Sequence, residues 1–435
     1  MKKVFVCAMI LAMISSLPAC KKDEGCKLDT ECPNGQICRN MKCETPADNN
    51  NQDSQAAPSA DAPNAAKPTT PQLIDLSSFA DNKSIRLEDL GLDVDYVLND
   101  TIHLEDTTKL EIAAGVTIDM QSAGAGIYVN GDAALIIKGT AESPVVFKST
   151  NSSAWSGLQF SSKNKDNSLN YLQILNADGE EQVISLSYEA RVGMDHVTLD
   201  GSANNGIVIG GDAKFTRFTN NTIRNCKGYP LVLDSYAHIA QLGEGNSYEN
   251  NKPYIRINPY TLDISQISVI KKQPLPYYLA DGILIDGESG TLTIEPGVEF
   301  AFEHEKEARV GGSIQLKLEG TAENPVIMRG VTDEANFWNG LFIDTERPSS
   351  ISGLTLANTG YSENSSLSIR DSANLTISNL TFKATEHQCM TIGSNAKITN
   401  KGGLTFEKCG KGNIYDYRIE GEEDQKVIAD LPVSE

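Results

Sequence analysis

The chain has 435 residues, room for about three ordinary domains or for one long repeat array with short appendages. It carries 37 Lys+Arg against 58 Asp+Glu, a net charge of −21, with 40% hydrophobic residues, 6% aromatics and 35 Gly. That apolar fraction excludes a wholly disordered chain and falls short of a multi-span membrane protein. The acid excess excludes a nucleic-acid partner, because phosphate binding needs a basic face.

The N-terminus reads as an address. Lys2 and Lys3 form a short basic region, Val4 to Ile14 an apolar one, and Leu17-Pro18-Ala19-Cys20 follows. So short an apolar stretch, ending in a small residue, is a secretory signal rather than a span. With a cysteine directly after Ala19, it resembles the lipobox of bacterial lipoproteins. The resemblance implies removal of residues 1–19, a diacylglycerol thioether on Cys20 and acylation of the new amino group, hence a membrane partner through that anchor. Several acyl chains together hold firmly where one does not. Lys21 and Lys22, in place of an Asp after the cysteine, resemble the enterobacterial sorting signal for the outer membrane; the body would face the periplasm or the cell surface. The mature chain would keep 35 basic and 58 acidic residues, or −23. Anionic head groups repel such a body.

Cys26, Cys32, Cys38 and Cys43 follow within 18 residues. An even cluster in an exported segment too short for a core reads as two disulfides, with three connectivities open. The paired short spacing of zinc sites is missing, and no metal is expected. Residues 20–43 read as a lipidated cysteine and a cysteine-rich module, and within them Gly25 to Cys43 resemble the small cysteine-rich modules near the start of some bacterial surface lipoproteins, and faintly the Dickkopf N-terminal pattern; no activity follows. Residues 44–72, rich in Asn, Ala and Pro, lack the apolar side chains needed for order and predict a semi-extended linker.

Beyond Leu73 the sequence repeats. Leu110-Glu111-Ile112-Ala113-Ala114-Gly115-Val116 returns as Leu292-Thr293-Ile294-Glu295-Pro296-Gly297-Val298, 182 positions later. Gly139-Thr140-Ala141-Glu142-Ser143-Pro144-Val145 returns as Gly320-Thr321-Ala322-Glu323-Asn324-Pro325-Val326, and Trp155-Ser156-Gly157-Leu158 as Trp338-Asn339-Gly340-Leu341. Two copies are predicted, 73–258 and 259–435, the second including the C-terminal tail. Within each, alternating apolar triplets such as Leu158–Phe160, Leu186–Tyr188 and Ile207–Ile209 recur every 21 to 28 residues, punctuated by Gly, Asn and Asp. Helical spacing is absent. Short strands that return every turn and stack predict an all-β chain, a right-handed parallel β-helix solenoid. At roughly 24 residues per coil it would have on the order of 14 coils and a length near 70 Å.

The phrases GTAESPVVF and GTAENPVIM, each followed by W-x-G-L, resemble the bacterial parallel β-helix repeat proteins of the broad pectate-lyase-like class. That resemblance implies the fold far more than a function, since lyases, hydrolases, adhesins and inert stalks share it. The repeated Gly, Pro and Trp residues have structural explanations. Asn220, Asn221, Asn225, Asn250 and Asn251 fall at strand ends, where stacked amides satisfy the backbone. Cys226 and Cys409 hold matched places seven coils apart and read as buried free thiols, with a Cys389–Cys409 disulfide as the alternative.

For chemistry, the best candidates are Asp195, His196 and Asp200. If Val197 and Leu199 point inward, His196, Thr198 and Asp200 share one outer face that could hold an acid/base pair. The second copy has Ser378, Asn379 and Lys383 around Leu380 and Phe382 there, keeping only the apolar residues. Glu386-His387, the run Glu303-His304-Glu305-Lys306-Glu307 and the acids Asp178, Glu180 and Glu181 are weaker. No H-E-x-x-H, phosphate loop, G-x-S-x-G or polygalacturonase-like pattern occurs, and no cofactor is expected. The reading is a lipid-anchored envelope protein presenting a binding face to a glycan or an envelope partner. A carbohydrate-active lyase or hydrolase with its site on the first copy is the alternative, and a structural spacer the third.

Overall fold

The computed structural model describes residues 67–75, 84–150, 155–177, 182–265 and 267–434, together with the backbone of two short strands, Ile37–Arg39 and Lys42–Glu44. The chain divides into two compact units, Met1–Ala66 and Lys67–Glu435. In the first, the two strands pair antiparallel with Cys38 opposite Cys43. The signal segment, Cys20, Cys26, Cys32 and most of the linker lie outside the described residues, as do the side chains of Cys38 and Cys43.

The second unit is a parallel β-solenoid with almost no helix. Each coil contributes short strands whose alternate residues point inward, so the core is a column of stacked Leu, Ile, Val and Phe. Leu110, Leu135, Ile112 and Ile137, on adjacent paired strands, are fully buried. Burying each side chain of this kind contributes about 1.5–3 kcal/mol, which is how strands of three to five residues hold their register. One sheet runs the length of the unit, thirteen strands from Thr101–Leu104 to Thr405–Cys409. Twelve steps at ~4.8 Å give a rod of about 60 Å, one coil short of the sequence expectation. The missing coil is the tail. Instead of winding on, Val427–Ile428 turns back antiparallel on Ile414–Asp416. Leu431 is buried, and Asn400 donates to the Leu431 carbonyl at 2.6 Å. The returning strand covers the end of the sheet that contains Ile414–Asp416.

The repeated G-T-A-E-x-P phrase is a turn. The Thr140 hydroxyl accepts from the Ser143 N–H at 3.1 Å, and the Ser143 carbonyl accepts from both Thr140 and Gly115 at 3.1 and 3.0 Å. Thr321, Asn324 and Gly297 repeat the arrangement. Gly139 is required by close approach, because a Cβ there would lie 2.4 Å from the Tyr171 carbonyl oxygen of the next coil.

Left-handed residues stack at the corners. Tyr171, His196, Asn220 and Gly245 form one column, with φ of 46°, 56°, 57° and 77°. Asn176, Gly201, Asn225 and Asn250 form another. The asparagines act as expected: the Asn221 side chain accepts from the Val197 N–H at 3.0 Å and Asn251 from the Cys226 N–H at 2.9 Å.

The cysteine reading is corrected in one respect. Cys226 is a buried free thiol, whereas Cys409 is joined to Cys389, with Cα atoms 5.4 Å apart. One coil of separation brings these two corners together, which no partner does for Cys226.

The two copies do not superpose face on face. In the first, strands such as Lys109–Ala113, Thr117–Met120 and Gly126–Val129 belong to a first, second and third sheet in turn. The second sheet ends at Ser247–Glu249, and a fourth begins at Thr261–Asp263. The first sheet stops at Lys214–Thr219, where the 3-10 helix Tyr236–Gln241 packs between it and Val269–Ile270. Among the described residues, only the third sheet passes through this seam without a break.

Candidate functional site

The three sequence candidates lie on the coil between Arg191 and Ser202, but not on one face. Asp195 ends the strand Arg191–Asp195, His196 forms the corner, and Asp200 lies on Thr198–Ser202. Val197 and Leu199 do point inward, both buried. The expectation that His196 continues their alternation fails because its left-handed backbone breaks the strand one residue earlier. Its ring stacks instead on Tyr171 of the preceding coil, with centroids 4.4 Å apart and planes 12° from parallel.

Asp195 is 6% exposed and fully engaged. It accepts from Thr219 Oγ1 at 2.7 Å and Asn220 Nδ2 at 3.0 Å, and it pairs with Arg217 at 2.7 Å and His196 Nδ1 at 3.2 Å. Burial alone would raise this carboxyl, but hydrogen bonds from Thr219, Asn220 and His196, with the Arg217 charge, hold it below the usual carboxylate range. Asp200 is lowered in the same way, its burial outweighed by Asn225 and by Arg224, whose guanidinium reaches it at 2.8 and 2.9 Å. Both carboxylates therefore stay ionised and occupied, binding one coil to the next. Neither is poised to give or take a proton near neutral pH. Nearby Cys226 is equally quiet, since burial and then the Asp200 charge push its thiol up to about 12.

The weaker candidates spread out. His304 packs edge-on against Phe337 and Tyr361, at 5.2 and 4.8 Å, with Glu305 3.6 Å from its Nδ1. The acidic run around it is a corner leading into the strand Glu307–Val310. His387 follows the strand Asn374–Thr385, its N–H 3.4 Å from Thr385 Oγ1. Asp178, Glu180 and Glu181 lie outside the described residues. Among the described residues no group of three or more His, Cys, Asp or Glu could hold a metal ion, and no helix is long and apolar enough to cross a membrane.

A concavity lies elsewhere, on the fourth sheet near the C-terminal end. It is an open groove of about 540 Å³ whose floor includes Ser368 and Thr391, the outward residues of Leu367–Ile369 and Met390–Ile392. One edge is the corner with Glu363 and Asn364; the other is the tail, with Tyr417 and Glu423. Tyr417 is 50% exposed and its ring lies 4.6 Å from that of Tyr415. Glu423 accepts from the Tyr415 hydroxyl and pairs with Lys426 at 3.3 Å. Arg370 is held over the Phe342 ring at 5.2 Å, beside Arg309 at 4.8 Å. Aromatic surface, hydroxyls and charge thus converge in one place. Alternation in the sequence marks Ser368 and Thr391 as outward, but nothing local announces that a corner and the tail will wall them in.

Residues 84–204 match the pectate-lyase-like β-helix domain family. The matched segment includes Asp195, His196 and Asp200 and stops well before the groove. No curated protein and no solved structure shows a significant match to the chain.

Proposed function

We propose that this is an exported, lipid-anchored envelope protein whose solenoid binds a glycan in the groove on its fourth sheet. The observation that carries the reading is the groove itself, where the half-exposed Tyr417 ring stands beside a floor of hydroxyls. A sugar needs both, an apolar face for its C–H groups and polar atoms for its own hydroxyls. The pectate-lyase-like match of residues 84–204 supports a carbohydrate ligand. The Cys389–Cys409 disulfide supports export, because such bonds persist in oxidising compartments. The anchor would be Cys20 after loss of residues 1–19, and Cys26, Cys32, Cys38 and Cys43 would staple a small module between anchor and rod.

The alternative is cleavage at Asp195, His196 and Asp200, favoured by their place inside the matched segment. The four partners around Asp195 weigh against it.

Two measurements test the proposal. Globomycin should make the full-length precursor accumulate; unchanged processing would remove the anchor. A polysaccharide panel should yield retained complexes that Tyr417→Ala abolishes, with no new reducing ends. Products lost on His196→Ala would instead establish the enzyme.

A further inference from the structure

Resting on the groove as a glycan site, we infer the charge class of its ligand: an amino-sugar glycan, bound through its ammonium groups. Ser368 points out of the fourth sheet into the groove, is 9% exposed, and has no hydrogen-bond partner for its hydroxyl among the described residues. The Ser368 residue is largely buried while its hydroxyl opens into the groove, so it offers a ligand a hydrogen-bonding group that no described side chain engages. Its neighbour Ser365 is already satisfied by Thr391, which leaves Ser368 as the open position.

The charges around this floor select the ligand. Three carboxylates line the groove, Glu363, Asp371 and Glu423, against one guanidinium, Arg370. Glu423 is neutralised by Lys426, and Arg370 is turned onto Phe342. Glu363 and Asp371, both exposed, have no ion-pair partner among the described residues. The chain as a whole carries −21. A polyanionic glycan therefore meets an unfavourable field at long range and unpaired carboxylates at short range, whereas a protonated amino group meets charge of the right sign at both. Glu363 and Asp371 supply the charge pairing and Ser368 a hydroxyl contact, while Tyr417, which carries the Lys426 ammonium 5.8 Å from its ring centre, offers the part of its ring that remains exposed.

The test is calorimetric titration of the full exported chain with a glucosamine hexamer, at about pH 5.5, where amines are protonated and Asp and Glu remain ionised. The N-acetylglucosamine and galacturonate hexamers are titrated in parallel. The glucosamine hexamer should bind most tightly, and the Glu363→Gln/Asp371→Asn double variant should weaken it at least about tenfold, as should 0.5 M salt. Both acids are exposed, so the double variant should keep the wild-type melting temperature. If the acetylated or acidic hexamer binds as well and the double variant changes nothing, the ammonium inference is overturned while the groove stands. If no hexamer binds, or binding survives Tyr417→Ala, the groove reading itself falls.

Discussion

Tyr96 and Tyr277 hold equivalent places in the two copies, 181 positions apart, yet they lie on different sheets. Tyr96 pairs with Ile118 on the second sheet, whereas Tyr277 pairs with Ile255 on the third. The duplicated strands are thus displaced by one face around the rod. Gly126–Val129 is on the third sheet, and its counterpart Glu307–Val310 is on the fourth. The groove over Ser368 consequently lies on a sheet to which the first copy contributes no strand.

The seam that absorbs this displacement should be the weakest part of the rod. One sheet crosses it unbroken. Tyr236 Oη, His238 Nδ1, Tyr248 Oη and Gln273 Oε1, all buried there, lack hydrogen-bond partners among the described residues. In a solenoid each coil is held by its neighbours, so an interrupted interface divides the folding unit. Hydrogen exchange should show lower protection over residues 236–275 than in the coils on either side. Acid should lower it further. Burial holds the His238 imidazole below its ordinary pKa, against weaker opposing effects of the Ala213 and Gly211 carbonyls and the Asp234 and Asp212 charges. That contribution to stability is present above about pH 6.5 and is lost as pH falls through the folded-state value. Uniform protection along the rod would contradict the division.

Asp195 should behave as a structural carboxylate. Its folded pKa is lowered, so its stabilisation is present above about pH 3.9 and disappears as pH falls through the folded value. Asp195→Asn should cost about 1–3 kcal/mol at pH 7. Thermal melts should show the variant and the wild type converging as pH falls through the folded value. A constant difference at every pH would mean that the charge is irrelevant.

The Cys389–Cys409 bond encloses a 20-residue separation and ties two successive coils beside the groove. Loop-closure entropy assigns such a link about 3 kcal/mol. Cys389→Ser/Cys409→Ser should lower the melting temperature and loosen mainly the coils after Gly360. Thiol titration of the denatured, unreduced rod should find Cys226 alone, and three reactive thiols would remove the bond.

The two tryptophans should respond differently to loss of their N–H. Trp338 donates to the Ala357 carbonyl at 2.7 Å and stacks on Phe302 with centroids 4.2 Å apart. Trp155 Nε1 is buried without a partner among the described residues. Trp338→Phe removes a hydrogen bond that Trp155→Phe does not, so it should cost about 1–2 kcal/mol more in urea unfolding. Equal costs would deny the hydrogen bond any net value.

The solenoid is legible in the sequence because its signal is local and repeated. Leu158 and Phe160 alternate inward, Asn221 closes a strand, and Gly139 allows the next coil's carbonyl to approach. The displacement between copies is not legible. Inward triplets have the same pattern on every sheet, so nothing in Tyr277-Tyr278-Leu279 names the sheet it joins. His196 is misplaced for a related reason, since alternation carries no mark of where a corner interrupts it. The groove depends on residues as distant as Asn364 and Tyr417, which only the stacking of coils and the returning tail bring together.

The most direct measurement is hydroxyl-radical footprinting of the full chain with and without the tightest-binding glycan. The account predicts protection at Tyr415 and Tyr417 and unchanged labelling at Tyr171 and His196. Protection of Tyr171 and His196, with Tyr417 labelled as before, would place the ligand on the first copy and contradict it.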